Sequence, residues 1–347
     1  MQIDNAHIRQ RCDVLTEVDP ACVIRTQQHF THLAAGQTSP TERNTMTVAI
    51  LEHAAIGRPI TRLGASIYPI YLLGQSTGFS FTTGITPDVT ISEKVNAEVP
   101  TLQVTNLGGI PVLIPEGQVL DGGRQTRTTN VSILVPAGAT IDIPVSCVEA
   151  GRWGGSDGFY DSNRKTSRRV RRAKQMGVRE NIQSFGSRNS DQSDVWNAVD
   201  RELFSRNVNS KSANFRDLEG VMHENSDIAG AIEDLVSRGP MPEQRGIVVT
   251  HGTRVVSAEF YATNSALQCN WEALIRGVIM DAPGQESPRP SAAAVLKFLR
   301  RLATSEIITA PGVGLGVEEH IKSSHLVGHS LSVDDTLVHA SAFALTV

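Results

Sequence analysis

The sequence predicts an α+β protein in which an antiparallel β-sandwich or barrel-like lobe precedes a second α+β lobe. Short β-branched runs separated by Pro and Gly occupy residues 67–148. Beyond residue 190, apolar residues recur at helical spacing in several segments. Apolar residues make up 40% of the 347 and charged residues 20%, which is typical of a globular chain with a sizeable core.

Composition and length predict four segments along the chain. Residues 1–60 carry no chemical motif and are interpreted as an N-terminal extension. Residues 61–155 form the predicted β-rich lobe, which holds the candidate site, and residues 191–347 form the α+β lobe. Between the lobes, residues 156–190 are rich in Gly, Ser, Asn and Arg, so we expect a flexible basic connection there.

The β-rich lobe is predicted from five short runs, at residues 67–73, 101–105, 111–115, 131–135 and 141–148. The clearest pair is Val131–Val135 and Thr140–Val145, because Pro136 and Gly138 supply a turn between alternating apolar residues. We therefore expect these two runs to form a hairpin.

The second lobe is predicted from segments with clear start and stop signals. Ser193 can cap a first helix, and Asp227 can open another that Gly239 and Pro240 end. A hairpin is expected across His251 and Gly252. The remaining predicted elements are a helix with Trp271, Leu274, Ile275 and Val278 on its buried face, a helix over Ser291–Leu302, and a strand over Leu337–Leu345.

Charge limits the classes of partner. The net charge of −4 argues against a protein whose whole surface binds nucleic acid. The stretch Arg164–Arg179 is an exception, since it contains many Lys and Arg residues and no acidic residue. This basic segment is typical either of an arm that binds RNA or DNA or of a solvated tether.

The sequence also indicates a compartment. The first thirteen residues mix charges and lack the apolar stretch of a signal peptide, and no run approaches a membrane span, so we expect no membrane partner. The four cysteines, Cys12, Cys22, Cys147 and Cys269, show no paired spacing and are interpreted as reduced thiols. Together these features predict a cytoplasmic protein.

A polar loop between predicted strands is the first candidate site. Arg124 and Arg127 offer planar donors suited to phosphate or carboxylate, and Gln125 and Asn130 offer amides that can read a base or ribose edge. Glu116 could accept a proton or hold a ribose hydroxyl. The alternative is a loop whose polar side chains hydrogen-bond to its own backbone.

The second candidate lies where an apolar strand ends. Cys147 is either a nucleophile activated by a nearby Arg or a small buried hydrophobic residue. Glu149 and Arg152 form an internal ion pair or divide into a general base and an anion anchor, and Trp153 follows them directly. Composition leaves both alternatives open.

Four histidines near the C-terminus, His320, His325, His329 and His339, match no established zinc spacing. We therefore interpret them as surface or hydrogen-bonded residues and assign no metal ligand. Nothing in the sequence identifies a cofactor.

Several blocks of the sequence resemble the ARPP-1 family, whose name describes proteins found with ADP-ribosylglycohydrolase and rhodanese or phosphatase domains. The blocks are Ile114–Asn130, Leu134–Gly138, Ile143–Trp153, Gly246–Glu259, Trp271–Arg276 with Asp281 and Ala282, and Val338–Phe343. The resemblance implies a link to NAD-derived or ADP-ribose chemistry. The positions carried over are Glu116, Gln125, Arg127, Asn130, Cys147, Glu149, Arg152 and Trp153.

The resemblance favours a site for a small anionic, phosphorylated nucleotide-type ligand. One hypothesis is an enzyme in which Arg124, Arg127 and Arg152 hold phosphates while Glu116 or Glu149 acts as general base. A second is a non-catalytic module that senses or sequesters the ligand. A third, from another class, is a nucleic-acid-associated protein that uses the basic segment.

Overall fold

The computed structural model describes residues 54–72, 78–285 and 288–345, all within the compact unit Asn44–Val347. The predicted N-terminal extension, residues 1–60, lies almost entirely outside the described residues. None of the helices in the described part of the chain is long and apolar enough to cross a membrane.

The described residues form eighteen strands. In chain order these are β1 Ala54–Ile56, β2 Ile60–Arg62, β3 Ala65–Leu72, β4 Thr82–Thr83, β5 Val89–Ser92, β6 Thr101–Asn106, β7 Val112–Ile114, β8 Gln118–Gly122, β9 Arg127–Thr129, β10 Ile133–Val135, β11 Thr140–Cys147, β12 Gly158–Lys165, β13 Gly246–His251, β14 Arg254–Tyr261, β15 Glu306–Pro311, β16 Val317–Lys322, β17 Leu326–Val333 and β18 Thr336–Ala344.

Six α-helices and one short 3₁₀ turn, Phe215–Asp217, complete the described part of the chain. The helices are α1 Arg168–Phe185, α2 Gln192–Ser205, α3 Leu218–Glu224, α4 Ser226–Arg238, α5 Asn264–Met280 and α6 Ala292–Ala303.

The described strands assemble into one large sheet, one barrel and one small sheet. The nine-stranded sheet has the order β1-β3-β13-β14-β18-β17-β16-β15, with β2 also paired to β3. The closed barrel has the order β11-β6-β5-β12-β8-β9, and β10-β7-β4 form the small sheet. Neighbours are antiparallel except β4 and β7. These sheets and the helices confirm the predicted α+β class with a barrel-like lobe, whereas the domain boundaries remain a prediction.

The two faces of the large sheet differ in chemistry. Side chains alternate between the faces, so the register decides which residues share one. On one face α6 buries Val295, Phe298 and Leu299 against strand residues such as Phe260. On the opposite face, cross-strand partners are polar: Glu259 lies opposite Ser341, Ser341 opposite His329, and His329 opposite His320.

Several predicted elements of the second lobe are confirmed. The hairpin across His251 and Gly252 is β13–β14, and the final strand is β18. Helix α5 buries Trp271, Leu274, Ile275 and Val278 as expected. Both caps lie two residues before the predicted ones, because Asp191 and Asn225 accept the first N–H groups of α2 and α4 in place of Ser193 and Asp227.

The predicted hairpin of Val131–Val135 with Thr140–Val145 is wrong. Strand β10 pairs with β7, whereas β11 pairs with β6 and β9, so the turn carries the chain from the small sheet into the barrel. Gly138 still supplies the turn, with a φ of 65°. Alternation predicted both strands correctly but carried no information about their partners.

The flexible basic connection predicted for residues 156–190 is also wrong. This stretch forms β12 and the 18-residue helix α1, in which Ser167 accepts a hydrogen bond from the N–H of Val170 and Gly186 ends the helix with a φ of 68°. Six of the basic side chains pair with carboxylates from other elements. These pairs are Arg164–Glu219, Lys165–Glu259, Arg169–Glu202, Arg171–Glu116, Lys174–Glu116 and Arg179–Glu306.

Candidate functional site

A buried charged layer lies between α1 and the polar face of the large sheet. Arg171 donates from Nε and Nη2 to Oε2 of Glu116, at 3.0 and 2.7 Å, and from Nη1 to Oε2 of Glu259 at 2.7 Å. Lys174 Nζ is 2.7 Å from Oε1 of Glu116, and Lys165 Nζ is 2.6 Å from Oε1 of Glu259. Three cations therefore face two carboxylates, an excess of one positive charge.

Burial and pairing act on these groups in opposite directions. Burial alone would raise the pKa of Glu116, but the charges of Arg171 and Lys174 outweigh it and hold that pKa well below its usual range. Burial lowers the pKa of Lys174 to about 8, although Glu116 opposes this shift. The carboxylates therefore stay ionised, and the surplus charge of the layer is positive near neutral pH.

His339 joins this layer to β10. Its Nε2 lies 3.2 Å from Oε1 of Glu259, and its Nδ1 lies 2.7 Å from Oγ of Ser132. A carboxylate only accepts, so Nε2 carries the proton and Ser132 donates to Nδ1. A hydroxyl, an imidazole and a carboxylate that are hydrogen-bonded in this order resemble the catalytic triad of an enzyme with a serine nucleophile. However, Ser132 and His339 are 0% exposed. These three groups therefore present no nucleophile to a substrate here.

Glu318, His320 and His329 are the described residues that could hold a metal ion. Their potential ligand atoms lie within 4.8 Å of one another, and all three side chains are buried. However, the N–H of Ser132 donates to Nε2 of His329 at 3.0 Å, so neutral His329 must carry its proton on Nδ1. His329 offers a metal no free lone pair unless that contact breaks.

The sequence-predicted residues do not form one site. Glu116 belongs to the charged layer, whereas five others gather at the ends of β9 and β11: Gln125, Arg127, Cys147, Glu149 and Arg152. Trp153 covers this second group, and Arg124 borders it. We call the group the Arg127 cluster.

Glu149 organises the Arg127 cluster. Its Oε2 accepts from the backbone and side chain of Thr126 at 2.9 and 3.0 Å and from Arg152 at 2.8 Å. Its Oε1 accepts from Arg152 and from Ser212, at 3.0 and 3.1 Å. Burial would raise the pKa of Glu149, but these donors outweigh it and lower that pKa. Both oxygens are thus occupied in holding the strand ends together.

Cys147 and Asn130 are also engaged within the fold. The Cys147 thiol is 0% exposed and donates to the carbonyl of Glu149 at 2.9 Å, and burial raises its pKa. Asn130 accepts from Ser146 and donates to the carbonyl of Arg188. Neither residue presents a reactive or free polar group to solvent.

Arg127 differs from its neighbours because its charge is buried and incompletely paired. The side chain is 0% exposed, and only Nη1 has a hydrogen-bond acceptor, Oε1 of Gln125 at 3.1 Å. Its Nε and Nη2 have no hydrogen-bond partner among the described residues, and the nearest carboxylate, Glu93, lies 3.9 Å from Nη2. Above it, Trp153 is 52% exposed, with its ring centroid 5.8 Å from the guanidinium carbon.

Sequence reasoning missed most of the charged layer. Glu259 and His339 lie on strands whose alternation indicated only a buried face. Arg171 and Lys174 were noted as part of a basic segment, but their spacing of three residues, next to buried Val170 and Val178, is the signal of one inward helix face.

Comparison with known proteins supports the resemblance seen in the sequence. A family model described as ARPP-1, the ARG and Rhodanese-Phosphatase-superfamily-associated Protein domain, matches residues 53–343. No curated protein and no solved structure matches the chain. Because the family model covers most of the sequence, including the charged layer and the Arg127 cluster, the chain belongs to the ARPP-1 family.

Proposed function

We propose that this protein binds a phosphorylated nucleotide-type ligand, NAD-derived or ADP-ribose-like, at the Arg127 cluster, and that it does so in the cytoplasm. The observation that carries the proposal is the buried guanidinium of Arg127, of which two nitrogens have no partner in the part of the chain that the structure describes. A buried charge without hydrogen-bond acceptors is costly, so such groups are normally paired. A phosphate would supply the missing acceptors and a closer negative charge than Glu93, which lies 3.9 Å from Nη2. Because the Arg127 side chain is 0% exposed, Trp153 has to move to admit that phosphate.

Trp153 supplies the second half of the recognition. Its indole is half exposed and lies within cation–π distance of Arg124 and Arg127, at 5.7 and 5.8 Å. An exposed aromatic ring is a stacking surface for a base. Arginines next to an exposed ring match the chemistry of a nucleotide, because the arginines can bind its phosphates and the ring can stack on its base.

The same geometry favours binding over covalent chemistry. The pKa of the Cys147 thiol is raised by burial, which disfavours the thiolate that a nucleophile requires. Glu149 is ionised but saturated with donors, so it orients Arg152 and Thr126 and has no free lone pair for a substrate proton. Gln125 in turn fixes Arg127 through Nη1. We therefore propose a sensing or sequestering module.

The ADP-ribose link rests on the family description and on this arrangement of charges and ring. The nucleic-acid alternative loses its main support, since the basic segment is helical and its side chains pair with internal carboxylates.

Calorimetry with ADP-ribose, NAD and AMP tests the proposal, with mass spectrometry of the ligand after incubation. We expect at least one nucleotide to bind and to be recovered intact. Trp153→Ala should weaken binding by about 1 to 3 kcal/mol, and Trp153→Phe should restore part of it. Arg127→Gln should abolish detectable binding. Arg201→Gln, an exposed Arg on α2, is the matched control and should bind like the wild type.

Two results would count against the proposal in different ways. If none of these nucleotides binds, or if Arg127→Gln binds as well as Arg201→Gln, the ligand site is wrong. A converted nucleotide would show that the protein is an enzyme and would remove the non-catalytic assignment.

A further inference from the structure

A second site lies apart from the Arg127 cluster, in a cleft between α1, α5 and the β13–β14 hairpin. Its polar lining comprises Lys165, Arg168, Arg171, His251, Glu259 and Asp281. Its apolar wall includes Val249, Val256 and Val278. The space in the cleft that water can reach measures about 30 Å³. One buried water needs about 10 to 15 Å³ on this measure, so the cleft suits a small ligand and not a dinucleotide.

Two polar groups at this cleft have no partner. Nε and Nη1 of Arg168 are buried without a hydrogen-bond acceptor among the described residues, and so is Nε2 of His251. These atoms belong to different elements, the start of α1 and the end of β13, but both residues line the same space. Unpaired buried polar groups are rare and call for a missing partner.

The charge at this cleft favours an anion. Lys165 and Arg171 form its floor, and the charged layer to which they belong carries an excess of one positive charge. Helix α1 also begins here, with its positive dipole end directed at the cleft. The backbone N–H of Arg168 is already donated to the carboxylate of Asp281 at 2.6 Å, so the free donors of the cleft are the side chains of Arg168 and His251 among the described residues.

We infer that this cleft is a binding site for a small oxyanion, a phosphate or a carboxylate, held by the side chains of Arg168 and His251. The guanidinium donates two N–H groups to the oxyanion, and the imidazole donates from Nε2. An apolar substituent of the oxyanion packs against the valine wall. The inference is independent of the nucleotide site, because it uses different residues and a different element of the fold.

His251 fits this role as a neutral donor. Burial, with the neighbouring charge of Arg168, lowers the pKa of His251 to about 4, so the ring is uncharged at pH 7 and can carry its proton on Nε2. A bound anion favours the charged imidazole, so it should raise that pKa.

The test is thermal unfolding of the full chain with inorganic phosphate, sodium acetate or sodium chloride, each at the same ionic strength. We expect phosphate or acetate to raise the unfolding midpoint saturably, and chloride to leave it nearly unchanged. Arg168→Gln should weaken the apparent Kd at least tenfold. Arg201→Gln, an exposed Arg on α2, should retain the wild-type response. Arg127→Gln is measured beside it to separate this site from the nucleotide site.

An NMR titration of the wild type keeps the inference testable if Arg168→Gln folds poorly. Addition of phosphate should shift the His251 ring resonances and raise the pKa of that ring. The inference is overturned if phosphate and acetate stabilise no more than chloride. It is equally overturned if Arg168→Gln responds like the wild type, or if the effect disappears only in Arg127→Gln.

Discussion

Replacing Glu116 with Gln should destabilise the fold far more than the loss of a surface charge. The Glu116 carboxylate is 0% exposed and accepts from Arg171 and Ser341 at 2.7 to 3.0 Å. It also forms an ion pair with Lys174 Nζ at 2.7 Å. The amide keeps the shape but removes the charge, so Lys174 would lose the carboxylate with which it pairs, and Arg171 would have only Glu259, which it shares with Lys165. Removing one partner of a buried ion pair costs about 3 to 5 kcal/mol, and we expect a loss in this range.

The pH dependence of this loss follows from Lys174. Its pKa is about 8 in the folded protein, against about 10.4 in an unfolded chain. Between these values the unfolded state binds more protons, so the contribution of Lys174 to stability rises with pH and is lost as pH falls through 8. Without the Glu116 charge the folded pKa should fall further, and the rise should begin at a lower pH.

Urea unfolding followed by circular dichroism measures both effects. Glu306→Gln is the control, since that carboxylate also pairs with an Arg, Arg179, but is 64% exposed. It should cost no more than about 1 kcal/mol. The double variant Glu116→Gln with Lys174→Met should recover part of the loss, because the surplus cation is gone. A loss for Glu116→Gln within 1 kcal/mol of the Glu306 control would refute the reasoning.

Two further predictions concern the cleft and the barrel. Burial raises the pKa of Asp281 to about 6, so its contribution to stability is present below pH 4 and lost as pH rises through 6. Asp281→Asn, which keeps an acceptor for the N–H of Arg168, should therefore gain about 1 to 3 kcal/mol on the wild type between pH 4 and 7. The reasoning is contradicted if the unfolding midpoints of Asp281→Asn and the wild type differ by the same amount at every pH. Gly123→Ala should cost about 2 to 4 kcal/mol, because φ is +51° and a Cβ would lie 1.9 Å from the Phe159 ring. Gly109→Ala, whose Cβ meets nothing within 4 Å, is its control, and equal midpoints would refute the steric argument.

The elements predicted correctly are those specified by local pattern. The hairpin β13–β14 follows from a turn at His251 and Gly252, and α5 follows from apolar spacing around Trp271. The basic segment was predicted to be flexible because its charges looked unpaired in sequence. Arg171 finds its partners in Glu116 and Glu259, which lie 55 and 88 residues away in the chain. The composition of a short stretch of sequence cannot show that carboxylates from distant parts of the chain neutralise its charges.

For the candidate site, too, the sequence indicated individual residues but not which of them lie together. The sequence singled out Glu116 and Arg127 from residue chemistry, but it placed them together because they share one polar loop. Glu116 lies in the charged layer, whereas Arg127, on β9, pairs with Cys147 on β11. Separation of the two residues depends on the barrel topology, which alternation does not specify.

The substitution Glu116→Gln should lower the stability of the protein through the charged layer, but it should raise the affinity of the cleft for an oxyanion. In the wild type the layer carries one surplus positive charge, and Glu116→Gln raises that surplus to two at a pH below the lowered pKa of Lys174, where its amine stays protonated. A larger surplus destabilises the empty protein, but it attracts an oxyanion at the neighbouring floor formed by Lys165 and Arg171. Phosphate should therefore stabilise Glu116→Gln more than it stabilises the wild type. A layer that served only to hold the fold together would lose stability without this gain in anion affinity.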